Sequence, residues 1–188
     1  MKFPDQRLTK ELVAIVGIAI PEDVEEIAQV QSETWLATYP NEEFGITRDD
    51  IMKRLDDRRS TNINNWRKTI EDTTGNKRTW VVKDENKRVM GFCLAVRARA
   101  ENKISAIYIL PGCQGIGVGQ KLITVALEWL GKEKPISLAV AKYNVSAVNF
   151  YKKCGFEEAG DIPASAAKQL GEGKAIPEIK MIKQNTKI

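Results

Sequence analysis

The feature that most constrains the fold is the stretch from residue 104 to residue 131, in which an apolar run meets a cluster of glycines. The apolar run, Ile104–Leu110, predicts a strand, and Pro111-Gly112 ends it. Glycines then stand at alternate positions between residues 115 and 119. After them, apolar residues recur at helical spacing as far as Gly131, a residue type typical of the position just after a helix. The stretch therefore predicts a strand, a glycine-rich turn and a buried helix, Gly119–Leu130.

The segment Gln114–Gln120, which we call the glycine cradle, has the features of an anion site. The first backbone N–H groups of a helix have no partner within the helix, and the helix dipole adds positive potential there. Glycine lets a phosphate approach those amides because no Cβ stands in the way. The cradle therefore predicts a site for a nucleotide-like diphosphate. A plain tight turn, with glycine needed only for its positive φ, is the alternative interpretation.

Two common phosphate-binding motifs are excluded by the residues present. The cradle is not a P-loop, because Lys121 is followed by Leu122 and not by serine or threonine. It is not the dinucleotide motif either, since the sixth position counted from Gly115 is Gln120 and not glycine. What remains is the pattern Gln-x-x-Gly-x-Gly, formed by Gln114, Gly117 and Gly119.

This pattern resembles the acetyl-CoA-binding signature of the GCN5-related N-acetyltransferase (GNAT) superfamily. A second block about twenty-five residues later, Asn144–Phe156, is similar to the family element Asn-x-x-Ala-x-x-Phe-Tyr-x-x-x-Gly-Phe. The two blocks occur in the family's order. The resemblance implies an acetyl-CoA N-acyltransferase fold and an enzyme that moves the acetyl group of acetyl-CoA, its cosubstrate, to an amine.

Length and composition narrow the function classes further. A chain of 188 residues fits one domain, 1–188, and a net charge of +4 does not by itself indicate a nucleic-acid partner. The absence of histidine excludes imidazole bases and histidine triads, and we expect no metal. Three cysteines without zinc-ligand spacing favour a reducing, cytoplasmic location. The apolar segment Leu12–Ile20 is interpreted as a first strand and is too short to span a membrane.

The remaining elements alternate between strand-like and helix-like segments. We predict helices from Pro21 to the residue before Tyr39 and over Arg48–Arg59, Asn62–Asp72 and Val145–Cys154. We predict strands over Arg78–Lys83, Val89–Ala98, Ile136–Val140 and Ile176–Lys183, and a strand that begins with Phe156–Ala159. Segment Ile162–Gly173 is expected to be a loop with at most one helical turn. The order predicts an α/β fold with a mixed, mostly antiparallel sheet of six to seven strands and helices on both faces. The same order is implied by the family resemblance.

The resemblance also implies a set of cofactor contacts. In the family, the strand before the cradle splays from its neighbour, and the pantetheine arm pairs with its exposed backbone. A backbone amide near Ile109 would polarise the thioester carbonyl. The implied cofactor-binding residues are Ile107, Tyr108, Ile109, Gln114, Gly115, Ile116, Gly117, Val118, Gly119, Gln120, Asn144, Asn149, Tyr151 and Lys153.

Two residues are candidates for proton transfer. Tyr151 matches the family's Phe-Tyr position and would give a proton to the leaving thiolate; a core aromatic is its alternative interpretation. Many relatives carry a glutamate where this chain has Lys103, so Glu101, two residues earlier, is the candidate base acting through water. If Glu101 is only a solvated hairpin corner, water or a backbone carbonyl must take the proton.

The acceptor is less well defined by the sequence. Segment Ile20–Thr47 holds seven acids and no lysine or arginine: Glu22, Asp23, Glu25, Glu26, Glu33, Glu42 and Glu43. An acidic rim would attract a cationic amine such as a polyamine, although a solvated helix face explains the same charges. Trp35 and Tyr39 are candidate walls of the acceptor site or, alternatively, core residues. We expect a small amine or a protein amine as acceptor.

A different class of function stays open. The chain could be a non-catalytic acyl-CoA-binding sensor or interaction module, which the replacement of the usual glutamate by Lys103 favours. The intact Tyr151 favours an enzyme. The apolar last strand, Ile176–Lys183, also suggests a possible homodimer, and nothing in the sequence indicates a membrane partner.

Overall fold

A computed structural model describes residues 14–164, 168–171 and 173–184. The chain forms most of the predicted strands and helices, with two short 3-10 turns at Pro21–Asp23 and Pro111–Cys113. In chain order the elements are β1 (Ile15–Ile18), α1 (Val24–Thr38), α2 (Arg48–Ile70), β2 (Lys77–Lys83), β3 (Val89–Val96), β4 (Asn102–Ile109), α3 (Val118–Leu130), β5 (Ile136–Ala141), α4 (Val145–Lys153), β6 (Glu157–Asp161), β7 (Gln169–Gly171), β8 (Lys174–Ala175) and β9 (Glu178–Lys183).

Seven of the strands form one sheet in the order β1-β2-β3-β4-β5-β9-β6. Neighbouring strands are antiparallel except β4 and β5, which run parallel. Apolar side chains of α3 and α4 pack on one face of the sheet, and those of α1 and α2 pack on the other. The predicted α/β fold, with a mixed, mostly antiparallel sheet covered on both faces, is therefore confirmed.

The centre of the sheet is split between β4 and β5. The two strands pair only at Asn102–Ile136 and Lys103–Ser137, and no pairing continues beyond those positions. A β-bulge in β4 follows at once, because Leu94 of β3 is opposite Ala106 while Ala95 is opposite Ile104. A bulge increases the local twist and bends its strand. The bulge therefore lies where β4 turns away from β5 and opens the middle of the sheet.

The prediction of two separate helices over Arg48–Arg59 and Asn62–Asp72 is wrong, because one continuous helix, α2, covers Arg48–Ile70. A reciprocal capping box fixes its start: Asp50 N donates to Thr47 Oγ1 at 3.1 Å, and Thr47 N donates to Asp50 Oδ2 at 2.8 Å. The residues between the two predicted helices include no glycine or proline, so no strong breaker interrupts the helix.

The prediction of a loop with a helical turn over Ile162–Gly173 is also wrong in part. Strands β7 and β8 form a two-stranded hairpin there. Gly171 and Gly173 adopt positive φ values of 113° and 76°, which the turn requires, and Leu170 is buried beneath it. Strands of two and three residues with a single buried side chain, Leu170, are too short to show the alternation of apolar and polar residues that predicts a strand. The hydrophobic pattern therefore does not predict this hairpin.

The ends of the sheet modify two further expectations. The first strand is shorter than Leu12–Ile20, and residues 12 and 13 of that interpretation lie outside the described residues. Strand β9 lies between β5 and β6, so it offers no free edge to a second subunit and does not support the expected homodimer. Within the described part of the chain, no helix is long and apolar enough to cross a membrane.

Candidate active site

A groove of about 590 Å³ opens where β4 and β5 part. Its walls come from α1, the open edges of β4 and β5, the glycine cradle, α4 and Lys168 just before β7. One side of the groove, formed by the cradle and α4, we call the cofactor side. The opposite side, formed by α1, Tyr108 and Lys168, we call the acceptor side. No group of three or more potential metal ligands occurs among the described residues.

The open edge of β4 presents backbone groups to the groove. Leu110 N donates to Met90 O at 2.9 Å, so the alternation along the strand turns the peptide groups of Ile107 and Ile109 towards the open edge. The carbonyl of Ile109 accepts from Thr34 Oγ1 at 3.3 Å and from Gln114 Nε2 at 3.2 Å. The predicted exposure of the backbone at Ile107–Ile109 thus agrees with the split sheet.

The glycine cradle has the local geometry that an anion site needs. Gly115 and Gly117 have φ values of 77° and 89°, a region that other residues adopt only with strain. A Cβ on Gly119 would lie 2.9 Å from Ile109 Cδ1, so any larger residue there would have to displace the end of the Ile109 side chain. Gly117 is the N-cap of α3, whose first amides have no intrahelical partner. These residues fit a bound diphosphate.

Two members of the predicted cradle set do not contribute side chains. Ile116 is 53% exposed and does not line the groove, while the side chain of Val118 is buried in the core beneath α3. Only their backbone groups belong to the cradle. A contact through amides places no demand on the side chain at these two positions.

Helix α4 brings the second predicted block to the same groove. Asn144 Oδ1 accepts from Ala147 N at 3.1 Å and so caps the helix, which leaves the Asn144 amide nitrogen for a ligand. Asn149 and Lys153 are exposed and line the groove one turn apart. The structure therefore brings the two sequence blocks together along one wall.

Tyr151 lies at the inner end of the groove and is only 6% exposed. Its ring contacts Phe150 and Phe156, with ring centroids 5.3 Å and 6.0 Å away. Burial, assisted by Cys93, Tyr108 and Cys154, raises the pKa of Tyr151 well above its usual value. Tyr151 is therefore protonated at neutral pH and can donate a hydrogen bond, but it cannot act as a base.

Glu101, the predicted base, does not line the groove. It precedes Asn102, at the end where β4 and β5 are still paired, and its carboxylate accepts from Ser137 Oγ at 2.5 Å and pairs with Lys180 Nζ at 2.9 Å. Burial acts to raise the pKa of Glu101, but these two partners outweigh it, and the pKa is lowered. The geometry therefore does not support Glu101 as the base.

The acceptor side is lined by Tyr39 but not by Trp35, the other predicted wall residue. Tyr39 Oη and Tyr108 Oη lie 3.3 Å apart, within hydrogen-bonding reach. Trp35 packs edge-on against Tyr39, and the Arg54 guanidinium lies 5.2 Å from the Trp35 ring centre. Trp35 is thus a buried support behind Tyr39, which corrects the prediction that it walls the site.

Three of the four tyrosines of the chain line this groove, and the fourth contacts one of them from outside it. Tyr39, Tyr108 and Tyr151 line it, and Tyr143 Oη donates to Tyr39 O at 2.8 Å. Burial and the negative charge of Glu178 raise the pKa of Tyr143 to about 12. Burial, followed by Tyr108, also raises the pKa of Tyr39. The acceptor side therefore presents neutral hydroxyl groups.

Three lining residues of the acceptor side were not anticipated. Thr34 and Thr38 lie one helical turn apart on α1. They have the same four-residue spacing as Trp35 and Tyr39, so the sequence does contain a pattern that places them on a common side of the helix. Lys168 also lines the groove and forms an ion pair with Glu178. It stands in a segment without periodicity, so no sequence signal marked it.

The predicted acidic rim does not form a wall of the groove, since none of its seven carboxylates lines it. Two of them have structural partners: Asp23 pairs with Lys83 at 2.5 Å, and Glu26 accepts from Val89 N at 2.6 Å. The groove is lined by no carboxylate at all among the residues that the structure describes. An acceptor inside it therefore meets no carboxylate in that part of the wall.

Comparison with known proteins gives one family. The model of the Acetyltransferase (GNAT) family matches residues 24–156. The peptidyl-lysine N-acetyltransferase YjaB of Escherichia coli (strain K12) is 33% identical over 81 residues, which are 43% of this chain and 50% of that protein. The chain thus matches only about half the length of this curated relative.

Solved structures share the fold. The PaiA N-acetyltransferase from Thermoplasma acidophilum, in complex with coenzyme A, has a TM-score of 0.67 at 17% identity, over 91% of this chain and 98% of that one. A chimera of the spermidine N-acetyltransferase SpeG from Vibrio cholerae and hSSAT has a TM-score of 0.60 at 23% identity, over 92% and 95%. At these identities the likeness is one of fold.

Proposed function

The chain belongs to the GNAT family of acetyltransferases, and from this premise we propose that it transfers the acetyl group of acetyl-CoA to a primary amine. The observation that carries the proposal is the direct junction of the glycine cradle with the open edge of β4 in one groove. A diphosphate and an extended, amide-containing arm are the two chemical parts that such a junction fits.

Each part of the groove has a role in holding the cosubstrate. The amides of Gln114–Gln120 would bind the diphosphate, and the peptide groups of Ile107 and Ile109 would pair with the pantetheine. Asn144 and Asn149 would donate to the same arm, and Lys153 would meet a phosphate. Acetyl-CoA supplies the activated thioester when it is bound. None of these roles needs a metal ion.

The transfer itself places two demands on the chain. The neutral amine nitrogen of the acceptor attacks the thioester carbon, so a C–N bond forms and the C–S bond breaks. Tyr151 would give its proton to the departing sulfur and recover one from solvent. Because no carboxylate lines the described groove, we propose that water takes the proton that the amine loses.

Two kinds of primary amine fit this proposal. The curated relative is a peptidyl-lysine acetyltransferase, and one structural relative is a spermidine acetyltransferase. A small amine and a protein amine are therefore both acceptor candidates. We also propose a cytoplasmic location, since the three cysteines are free and lie in a fold that does not pair them.

The test is release of the coenzyme A thiol from acetyl-CoA across a panel of amines, with the acetylated product identified by mass spectrometry. We expect Tyr151→Phe to lower kcat about 100-fold, because it removes the proton donor without removing the ring. The affinity for acetyl-CoA should stay unchanged. Tyr143→Phe is the matched control, since Tyr143 does not line the groove and keeps its ring in the variant.

A non-catalytic acyl-CoA sensor is the second candidate, and the absence of a carboxylate or imidazole from the described groove residues favours it. Its signature is tight acetyl-CoA binding with no thiol release for any amine of the panel. Product formation that survives Tyr151→Phe unchanged would contradict the role of Tyr151 but not the transfer.

A further inference from the structure

Among the residues that the structure describes, Lys168 is the one charged residue that lines the acceptor side of the groove. Lys153 is the other charged residue that lines the described groove, and it lies at the cofactor side on α4. The rest of the acceptor side is made of neutral groups, among them Thr34, Tyr39 and Tyr108. In the described part of this wall, a ligand that extends past the reacting amine therefore meets Lys168, which is paired with Glu178, as its charged neighbour.

Lys168 is held firmly in place. Its Nζ pairs with Glu178 Oε1, its backbone N donates to Glu178 Oε2 at 3.1 Å, and its carbonyl accepts from Ile176 N at 2.9 Å. The side chain of Glu178 is 3% exposed, whereas that of Lys168 is 25% exposed. The carboxylate of Glu178 is thus buried, and Lys168 is the more exposed member of the pair and the one that lines the groove.

The hairpin that follows Lys168 is fixed to helix α2, which lies outside the groove. Lys174 Nζ lies 2.9 Å from Asp50 Oδ2 at the start of α2, and Leu170 is buried. Lys168 therefore belongs to a segment fixed at both ends, by β9 and by α2. A group held in this way can bind a ligand with little loss of side-chain entropy.

From this arrangement we propose that the acceptor is a primary amine that also carries a carboxylate, which Lys168 binds. An ammonium has three N–H donors, and Glu178 occupies one of them, so donors remain for a carboxylate oxygen. A second ammonium, as in a polyamine, would meet this cation and no carboxylate among the described lining residues. The inference rests on the proposed acetyl transfer and makes Lys168 a specificity residue.

The experiment compares matched acceptors in the same assay. Each pair consists of an amino acid and the amine that lacks its carboxylate: β-alanine with ethylamine, 6-aminohexanoate with pentylamine, and L-lysine with cadaverine. We expect at least one amino acid to have a kcat/KM about 10-fold higher than its partner, mainly through a lower KM. The length of the best amino acid would also measure how far the reacting amine lies from Lys168.

Variants separate binding from a merely structural role. Lys168→Met should remove the preference within the pair, while Lys168→Arg should retain most of it because the charge remains. If Lys168 only neutralises Glu178, Lys168→Met will weaken both acceptors of a pair equally, and the inference is wrong. Lys142→Met, which breaks an exposed ion pair with Asp161 outside the groove, should leave the preference unchanged.

The outcomes also distinguish this inference from the proposed function. Acetylation of amines with no preference for a carboxylate, or with spermidine as the better acceptor, overturns the inference and leaves the transfer intact. Failure of every amine in the panel, with acetyl-CoA bound, overturns the transfer and the inference with it.

Discussion

The two sides of the groove recognise their ligands in different ways. The cofactor side comes from two nearby blocks, the cradle at Gln114–Gln120 and the helix that Asn144 caps, and the cradle presents mainly backbone amides. The acceptor side is assembled from α1, from β4 and from Lys168, which lie far apart in the chain and present side chains. The cofactor side thus uses mainly backbone groups from segments that are close in the sequence, and the acceptor side uses side chains from segments that are far apart.

This difference explains why the cofactor side has a recognisable sequence motif and the acceptor side does not. A backbone site needs glycine where φ is positive or where a Cβ would collide, as at Gly117 and Gly119. These demands fix residue types at fixed spacings. A side-chain site needs only that the fold brings its members together, so Thr34 and Lys168 can stand anywhere that the topology allows.

The largest expected effect tests the backbone site. Gly117→Glu places a negative charge at the N-terminus of α3 and a side chain at a φ of 89°. Because both the dipole and the free amides favour anions there, we expect the affinity for acetyl-CoA to fall by roughly 100-fold or more. Calorimetric titration measures it, and this titration is also the most direct test of the cofactor assignment.

Two controls separate charge from backbone strain. Gly117→Ala carries the strain without the charge and should lose less affinity than the glutamate variant. Gly75→Glu makes the same change of charge at a φ of 73° in a turn outside the groove, and should bind normally. Equal binding by wild type and Gly117→Glu would remove the distinction between the two sides, since the cradle would then be an ordinary turn.

Much of the fold and of the cofactor side could be predicted from the sequence, for a physical reason. Strands with buried faces and helices such as α3 have a strong periodicity, and Asn144 is a cap residue in a cap position. The continuous α2 was missed because its middle, around Ser60–Asn62, has weak helix formers but no breaker. Its continuity is decided by packing at Ile51 and Trp66, which are buried against the rest of the molecule.

The acceptor side could not be predicted to the same extent. Lys168 lines the groove just before β7 and is held there by its ion pair with Glu178 at the start of β9, a contact between segments that have no shared sequence pattern. Glu101 shows the reverse case. A family spacing suggested it as base, but the split between β4 and β5 opens beyond its position and leaves it at the closed end.

A second, intermediate effect concerns the tyrosines, three of which have raised pKa values in the folded chain: Tyr39, Tyr143 and Tyr151. The pKa of tyrosine in an unfolded chain is ~10. In the folded chain, burial raises the pKa of Tyr143 to about 12. The unfolded state therefore loses protons first. The stability that these groups contribute is fully present below pH ~10 and is lost as the pH rises towards their folded values.

Alkaline titration followed by tyrosinate absorbance and by circular dichroism measures this effect. We expect most tyrosinate to form together with unfolding, and the same chain in denaturant to titrate near pH ~10. Tyr143→Phe should make the alkaline loss of stability less steep, because one linked proton is removed. Ionisation of more than one of the four tyrosines near pH ~10 in the folded chain would contradict a neutral, buried acceptor side.

The smallest expected effect is at Glu101, and it tests the boundary of the site. Glu101→Gln removes a partly exposed ion pair with Lys180, so the free energy of unfolding should fall by about 1 kcal/mol or less. Because the carboxylate lies at the closed end of the split, kcat for the best amine should change less than about 2-fold, whereas loss of a true general base costs roughly 100-fold or more. Glu133→Gln, which changes an exposed acid on the turn between α3 and β5, is the control.

A large fall in kcat with unchanged acetyl-CoA affinity, together with a lost acidic limb in the pH profile, would indicate a proton relay from the groove to Glu101. The acceptor side would then extend along β4 to the closed end of the split. The spacing of Glu101 before the glycine cradle would in that case have identified a side chain of the acceptor side, in addition to the backbone site of the cofactor side.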